Sequence, residues 1–134
     1  MACEMFFNFT LMNSLLKKTA KRFYHAAGGI KTHFKKGGNF RIQLTIGVFS
    51  ILLGALLNIN THEWLFLTLF IAGVLALETI NSSIEALCDT VTLEHNEGIK
   101  NSKDLAAGAV LLFSFGALVG GLMIFLPKIW ALLR

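Results

Sequence analysis

Residues 64–89 read WLFLTLFIAGVLALETINSSIEALCD. From Trp64 to Leu77 there is no charge; Glu78, Asn81, Glu85 and Asp89 then follow in quick succession. A helix rises about 1.5 Å per residue, so Trp64 to Cys88 is long enough to cross about 30 Å of hydrocarbon. At about 100° per residue the four polar positions fall within an arc of about 80° on one helix face, and Asp89 lies about 16 Å along the axis from Glu78. The stretch therefore reads as a membrane span whose polar stripe descends from the hydrocarbon toward one surface. A carboxylate inside a span costs about 2.5–3.5 kcal/mol on insertion scales, so two acids and an asparagine on one stripe point to a functional pocket. The plainer reading is that they hydrogen-bond neighbouring helices, a part often played by asparagine alone.

Two more uncharged runs flank this one. Ile42 continues uncharged to Thr61, and Leu105 to Pro127 contains no ionisable side chain. The expected spans are about 42–59, 64–88 and 105–127. The whole chain agrees with them: of 134 residues, 54% are hydrophobic and 15% charged, with a mean hydropathy of +0.64. A soluble domain carries about 25% charged residues, and a disordered chain has few apolar ones.

The 12 basic and 8 acidic residues leave a net charge of +4. Lys17, Lys18, Lys21, Arg22, Lys31, Lys35, Lys36 and Arg41 precede the first span, Lys100 and Lys103 lie between the second and third, and only Lys128 and Arg134 fall on the other side. By the positive-inside rule the amino terminus and the second loop are cytoplasmic, which puts the carboxylate end of the second span there too. Trp64 and Trp130 then sit at the opposite interface, where an indole keeps its ring in the boundary and its N–H wet. Topology explains the basic excess, and no aromatic stacking module accompanies it, so no nucleic-acid partner is expected.

Between Asn13 and Phe34, Leu15, Leu16, Phe23, Tyr24, Ile30 and Phe34 alternate with lysines, the pattern of a helix lying on the inner leaflet. Gly28-Gly29 is expected to divide it into two parts. The chain is thus expected to comprise an N-terminal segment, 1–41, and a three-span domain, 42–134. Met1 to Leu16 does not read as a cleaved signal peptide, because its basic cluster follows the apolar part.

Cys3 and Cys88 are too few for a disulfide framework or zinc site, and His25, His33, His62 and His95 include no i, i+4 pair. Neither Gly28-Gly29 nor Gly37-Gly38 has phosphate-loop spacing. Lys103 is suited to holding phosphate, and Asp104 to capping the third span. Gly116 and Gly120 form a small-xxx-small pair suited to close helix packing, and Pro127 falls near a helix end. Three spans enclose a polar pocket poorly, which favours a site built between chains.

The run Glu78-Thr79-Ile80-Asn81-Ser82-Ser83-Ile84-Glu85-Ala86-Leu87-Cys88-Asp89, with Lys103-Asp104-Leu105-Ala106-Ala107-Gly108-Ala109-Val110 downstream, closely resembles the bacterial integral-membrane diacylglycerol kinase family, including its undecaprenol kinase branch. The likeness spans about residues 20 to 125 and preserves the gaps as well as the letters. It implies an all-α homotrimer of three-span subunits, each with an amphipathic surface helix, in the bacterial inner membrane. It further implies transfer of the ATP γ-phosphoryl group to a lipid alcohol with Mg2+ as cofactor, most simply to diacylglycerol, giving phosphatidic acid. The position of Glu78 is then the general base and that of Glu85 the magnesium ligand, while Asn81, Glu85, Glu94, Lys103 and Asp104 line the nucleotide site. Asp89 continues the polar face and organises the loop. Where the family carries a second metal-binding glutamate this chain has Gly37, three residues before Phe40-Arg41, and where members carry histidine it has Asn96, with His95 beside it. The alternatives are an undecaprenol kinase, a non-catalytic relative that lacks the second metal ligand, and an acid-lined ion pathway.

Overall fold

The computed structural model describes residues 2–92, 94 and 96–134, and of these all side chains except those of residues 2–14 and 36. Cys3 and Glu4, as side chains, and the whole of His95 lie outside the described residues. The described chain is helical throughout: α1 (Ala2–Lys36), α2 (Gly38–Leu56), α3 (Thr61–Val91) and α4 (Glu97–Leu132). It divides into two compact units, residues 1–36 and 37–134.

The first unit is α1 alone, and it runs unbroken through Gly28 and Gly29. The expected two-part helix is therefore replaced by one. Two glycines cost about 1 kcal/mol each against alanine, but flanking turns of Lys, Ala and Thr continue the ladder on both sides. Thr32 Oγ1 also donates to the Gly28 carbonyl at 3.0 Å.

In the second unit α2, α3 and α4 are each long and apolar enough to cross a membrane. α3 packs against both α2 and α4. The chain reverses between α2 and α3 through Asn58, whose φ of 48° is left-handed, a conformation that asparagine tolerates better than most residues. Ile59 then folds back over Gly54, where an added Cβ would lie 2.9 Å from its Cδ1, and joins Leu67 and Ile124 in a small buried cluster. Asn60 caps α3: its Oδ1 accepts from the Glu63 amide at 3.0 Å, while Glu63 Oε2 accepts from the Asn60 amide at 2.7 Å. Lys128, near the end of α4, reaches the same Glu63 oxygen at 3.2 Å. The amide of Asn60 holds the Glu63 carboxyl below its ordinary value, and Lys128 adds to the effect.

α3 and α4 approach through two reciprocal ring-on-glycine contacts. A Cβ on Gly73 would stand 2.2 Å from the Phe113 ring, and one on Gly120 would stand 2.3 Å from the Phe70 ring. Gly120 thus serves the close packing expected of it, whereas Gly116 faces open space and takes no part. Pro127 lies inside α4, which continues to Leu132; it is farther from the end than expected.

Large apolar side chains such as Phe49, Leu52, Leu111, Leu112, Phe115 and Met123 are exposed along all three helices of this unit. In water such a surface would be untenable; lipid or another apolar partner covers it at no such penalty.

Candidate functional site

Glu78 is the most buried acid described, at 4% exposure, and Asn81 one turn on is at 6%. From α2 the Gln43 side chain reaches this acid, and its Nε2 donates to Glu78 Oε2 at 3.1 Å. Glu78 Oε1 is left to other uses. The carboxamide oxygen of Gln43 and that of Asn81 are both buried and make no hydrogen bond in the structure. Buried polar atoms are usually paired, so two orphaned acceptors beside one buried carboxylate mark a place built for a further group.

Asn81 Nδ2 donates to Glu85 Oε1 at 2.9 Å. The bond fixes the asparagine, turns one carboxylate oxygen of Glu85 toward it and leaves the other oxygen exposed. The two side chains present hard oxygens of the kind magnesium takes, one amide carbonyl and one carboxylate. Among the described residues no group of three His, Cys, Asp or Glu side chains could hold a metal. Gly37, where a second carboxylate was expected on family grounds, is the N-cap of α2 and makes no side-chain cap.

Asp89, exposed at the end of the stripe, pairs with Lys103 Nζ at 2.5 Å. This contact joins the last turns of α3 to the first turns of α4, and the carboxylate holds the lysine above its ordinary value. α4 starts eight residues earlier than its uncharged run, because Asn96 caps it: Oδ1 accepts from Gly98 N at 2.9 Å and Ile99 N at 3.2 Å. Asp104 therefore stands inside the helix and does not cap it, correcting the sequence expectation; like Glu94 it is exposed. The loop shrinks to 92–96, where the Glu94 amide donates to Thr92 Oγ1 at 3.0 Å. The structure thus joins Asn81 to Glu85 and Asp89 to Lys103, and gives Glu94 and Asp104 no such link to them.

An apolar groove of about 570 Å³ opens between α2, α3 and α4, lined by residues from Gln43, Gly47 and Ser50 to Phe70, Leu118 and Phe125. Gln43, one of its lining side chains, also hydrogen-bonds the acidic face. Sequence reasoning passed over Gln43, since an amide in an uncharged span with no acid on the same helix face carries no periodic partner. The available signal was a long polar side chain near the start of an uncharged run.

Three helices long and apolar enough to span, one carrying an acidic face that passes from burial to exposure toward its end, define an integral-membrane protein. Over residues 24–125 the sequence matches the family described as prokaryotic diacylglycerol kinase. It is 35% identical over 114 residues to the undecaprenol kinase of Bacillus subtilis (strain 168), covering 85% of this chain and 93% of that one. It is also 35% identical over 112 residues to a diacylglycerol kinase of Synechocystis, covering 83% of this chain and 64% of that one. A diacylglycerol kinase of Helicobacter pylori (strain J99) is 32% identical over 98 residues, 72% of this chain and 75% of its own. The chain belongs to the prokaryotic diacylglycerol kinase family, a family of membrane lipid kinases.

Proposed function

We propose that the chain transfers the γ-phosphoryl group of ATP to the hydroxyl of a membrane lipid, with diacylglycerol as acceptor and phosphatidic acid as product. The observation that carries this reading is the graded acidic face: Glu78 buried beside an apolar groove, with Asn81, Glu85 and the Asp89–Lys103 pair leading outward from it. A lipid hydroxyl is delivered from the hydrocarbon side and a triphosphate from the aqueous side. Glu78 takes the hydroxyl proton as the new O–P bond forms and the bond to the ADP oxygen breaks. Little else is asked of the protein, because phosphoryl transfer depends chiefly on positioning and charge neutralisation.

Glu85 is assigned to Mg2+, with the Asn81 carbonyl beside it, and Asn81, Glu94, Lys103 and Asp104 to the nucleotide. When bound, the metal neutralises phosphate charge; one carboxylate can hold it because magnesium keeps several waters and binds largely through substrate phosphates. Lys103, already positioned by Asp89, supplies a cation for the phosphates.

The charge distribution supports an N-terminus on the cytoplasmic side of a bacterial inner membrane, with segment 1–41 carrying an amphipathic helix on the inner leaflet and residues 42–134 forming the three-span domain. The exposed apolar flanks of α2 and α4 support a homotrimer, in which neighbouring chains close the site.

One observation favours a second acceptor: the similarity to the B. subtilis undecaprenol kinase covers 85% of this chain and 93% of that one. The same chemistry serves either alcohol. The test is phosphate transfer from labelled ATP in magnesium-containing vesicles offering diacylglycerol and undecaprenol side by side. Product from either establishes the kinase and names its acceptor; none from either, with the protein correctly inserted, rejects it in favour of a non-catalytic relative.

A further inference from the structure

The groove and the acidic face meet at Gln43. Gln43 lines the apolar groove between α2, α3 and α4, and its Nε2 is hydrogen-bonded to Glu78 Oε2. A carboxylate accepts and does not donate, so the amide must turn its NH2 toward Glu78, and that choice leaves its own oxygen buried without a partner. An orphaned acceptor is a cost that packing alone does not repay. Replacing the amide with an apolar side chain would remove it, but would also free Glu78 to rotate. The amide's contribution is thus the orientation of the acid.

We propose that Gln43 is the positioning residue of the acceptor site. By holding Oε2 it presents Glu78 Oε1 to the hydroxyl of a lipid whose hydrocarbon chain lies in the groove. This rests on the assignment of Glu78 as base made above. The groove is mostly apolar, and of its two hydroxyls the one at Ser50 is turned back to the Ile46 carbonyl at 2.9 Å. Apart from Gln43, the lining's other hydroxyl, at Ser114, is its only further polar side chain, so the groove suits a hydrocarbon chain with its polar end at Gln43. Gln43 does not touch the reacting atoms, and no proton passes through it.

Gln43→Met keeps the side-chain length and removes the donor; Gln43→Glu keeps the shape and puts a second carboxylate against Glu78. In vesicles with saturating magnesium, Gln43→Met is expected to lower kcat by about 10²-fold, the scale of a small misplacement of a catalytic group, with KM for ATP unchanged. Gln43→Glu is expected to move the acid limb of the kcat profile to higher pH, because two carboxylates within hydrogen-bond distance favour a shared proton. Both shifts together support the inference. A Gln43→Met protein with wild-type kcat overturns it, as does one whose loss lies wholly in KM for ATP. Should Gln43→Met fail to fold, an unshifted acid limb in Gln43→Glu overturns it alone. A wild-type chain inert on every lipid overturns the kinase reading and this inference with it, whereas an active wild type with indifferent variants overturns only this inference.

Discussion

Gln43 on α2 and Glu78 on α3 are joined side chain to side chain at 3.1 Å, a link between elements 35 residues apart. It places the most buried acid described beside an apolar groove, where the proposed reading has lipid and proton acceptor meet. Glu78→Gln keeps the size and polarity of the side chain while removing its capacity to take a proton. Turnover is expected to fall about 10²–10⁴-fold, the usual contribution of general base catalysis. The far-ultraviolet circular dichroism and elution volume of the detergent-solubilised protein should not change. Normal phosphorylation of lipid by this variant would take the base role away from Glu78.

Magnesium dependence tests the next turn. Glu85 keeps one carboxylate oxygen on Asn81 and the other exposed, so Glu85→Gln is expected to raise the half-saturating magnesium concentration by about tenfold or more, the scale on which metal sites lose affinity when their supporting groups go. Gly37 gives the converse test. Its φ of −85° and ψ of 103° are open to any L-residue, so Gly37→Glu brings a carboxylate to the start of α2 without strain. A lower magnesium requirement is the expected result; an identical titration curve would mean that one carboxylate suffices.

Lys103 and Asp89 form an exposed pair, and the lysine is held above its ordinary value of 10.5. A raised lysine contributes its pairing fully below the unfolded value and loses it only as pH rises through the folded one, so at neutral pH Lys103 is charged with or without its partner. Removal of Asp89 therefore changes where the cation sits and leaves its charge alone. Lys103→Met is expected to raise KM for ATP by about tenfold or more, as for a lost hydrogen bond to a charged group. The smaller change in Asp89→Asn should be constant between about pH 6 and 9. A pH-dependent change in that window would contradict the assignment.

Packing of α3 on α4 rests on Gly73 under Phe113 and Gly120 under Phe70. Alanine at either position forces a ring aside and is expected to cost about 1–3 kcal/mol, as overpacking does. Gly116→Ala meets nothing within 4 Å and is expected to leave stability unchanged or raise it by up to about 1 kcal/mol through helix propensity. Thermal unfolding in detergent micelles ranks the three. Equal shifts at Gly116 and Gly120 would mean that the small-residue spacing, and not the two rings, sets the approach.

These glycines show where sequence reading reaches and where it stops. The three spans were legible because a long uncharged run has few other uses, and the acidic stripe because its periodicity needs only one helix. Gly120 was found by its spacing from Gly116, but spacing cannot tell which of two glycines meets a ring, and it offered nothing at Gly73. Gln43 escaped for the same reason: its meaning lies in a residue on another helix. Helix ends were hidden by caps. Asn96 starts α4 well before its apolar run, so Asp104, apparently at a beginning, stands within the helix. The unbroken passage of α1 through Gly28-Gly29 reflects a local propensity overridden by the turns on either side.

The end of the bundle remote from the acidic face carries its own titrating lock. Asn60 and Glu63 cap α3 reciprocally, and Lys128 of α4 binds the same Glu63 oxygen. The Glu63 carboxyl is held below its ordinary 4.5, first by the Asn60 amide. A depressed carboxyl contributes stability that is present above its unfolded value and is lost as pH falls through the folded one. Stability of the wild type is therefore expected to be level from neutrality down to about pH 5 and to decline below it. Glu63→Gln should be less stable at neutral pH and converge on the wild type in acid. Asn60→Ala removes the side-chain cap but keeps the backbone N–H that lowers Glu63, and is expected to cost about 1 kcal/mol evenly across that range. Thermal scans of the three proteins across that range distinguish the cap from the salt bridge. Were Glu63→Gln to run parallel to the wild type into acid, Lys128 and Asn60 would have to be holding α3 by some means other than the Glu63 charge.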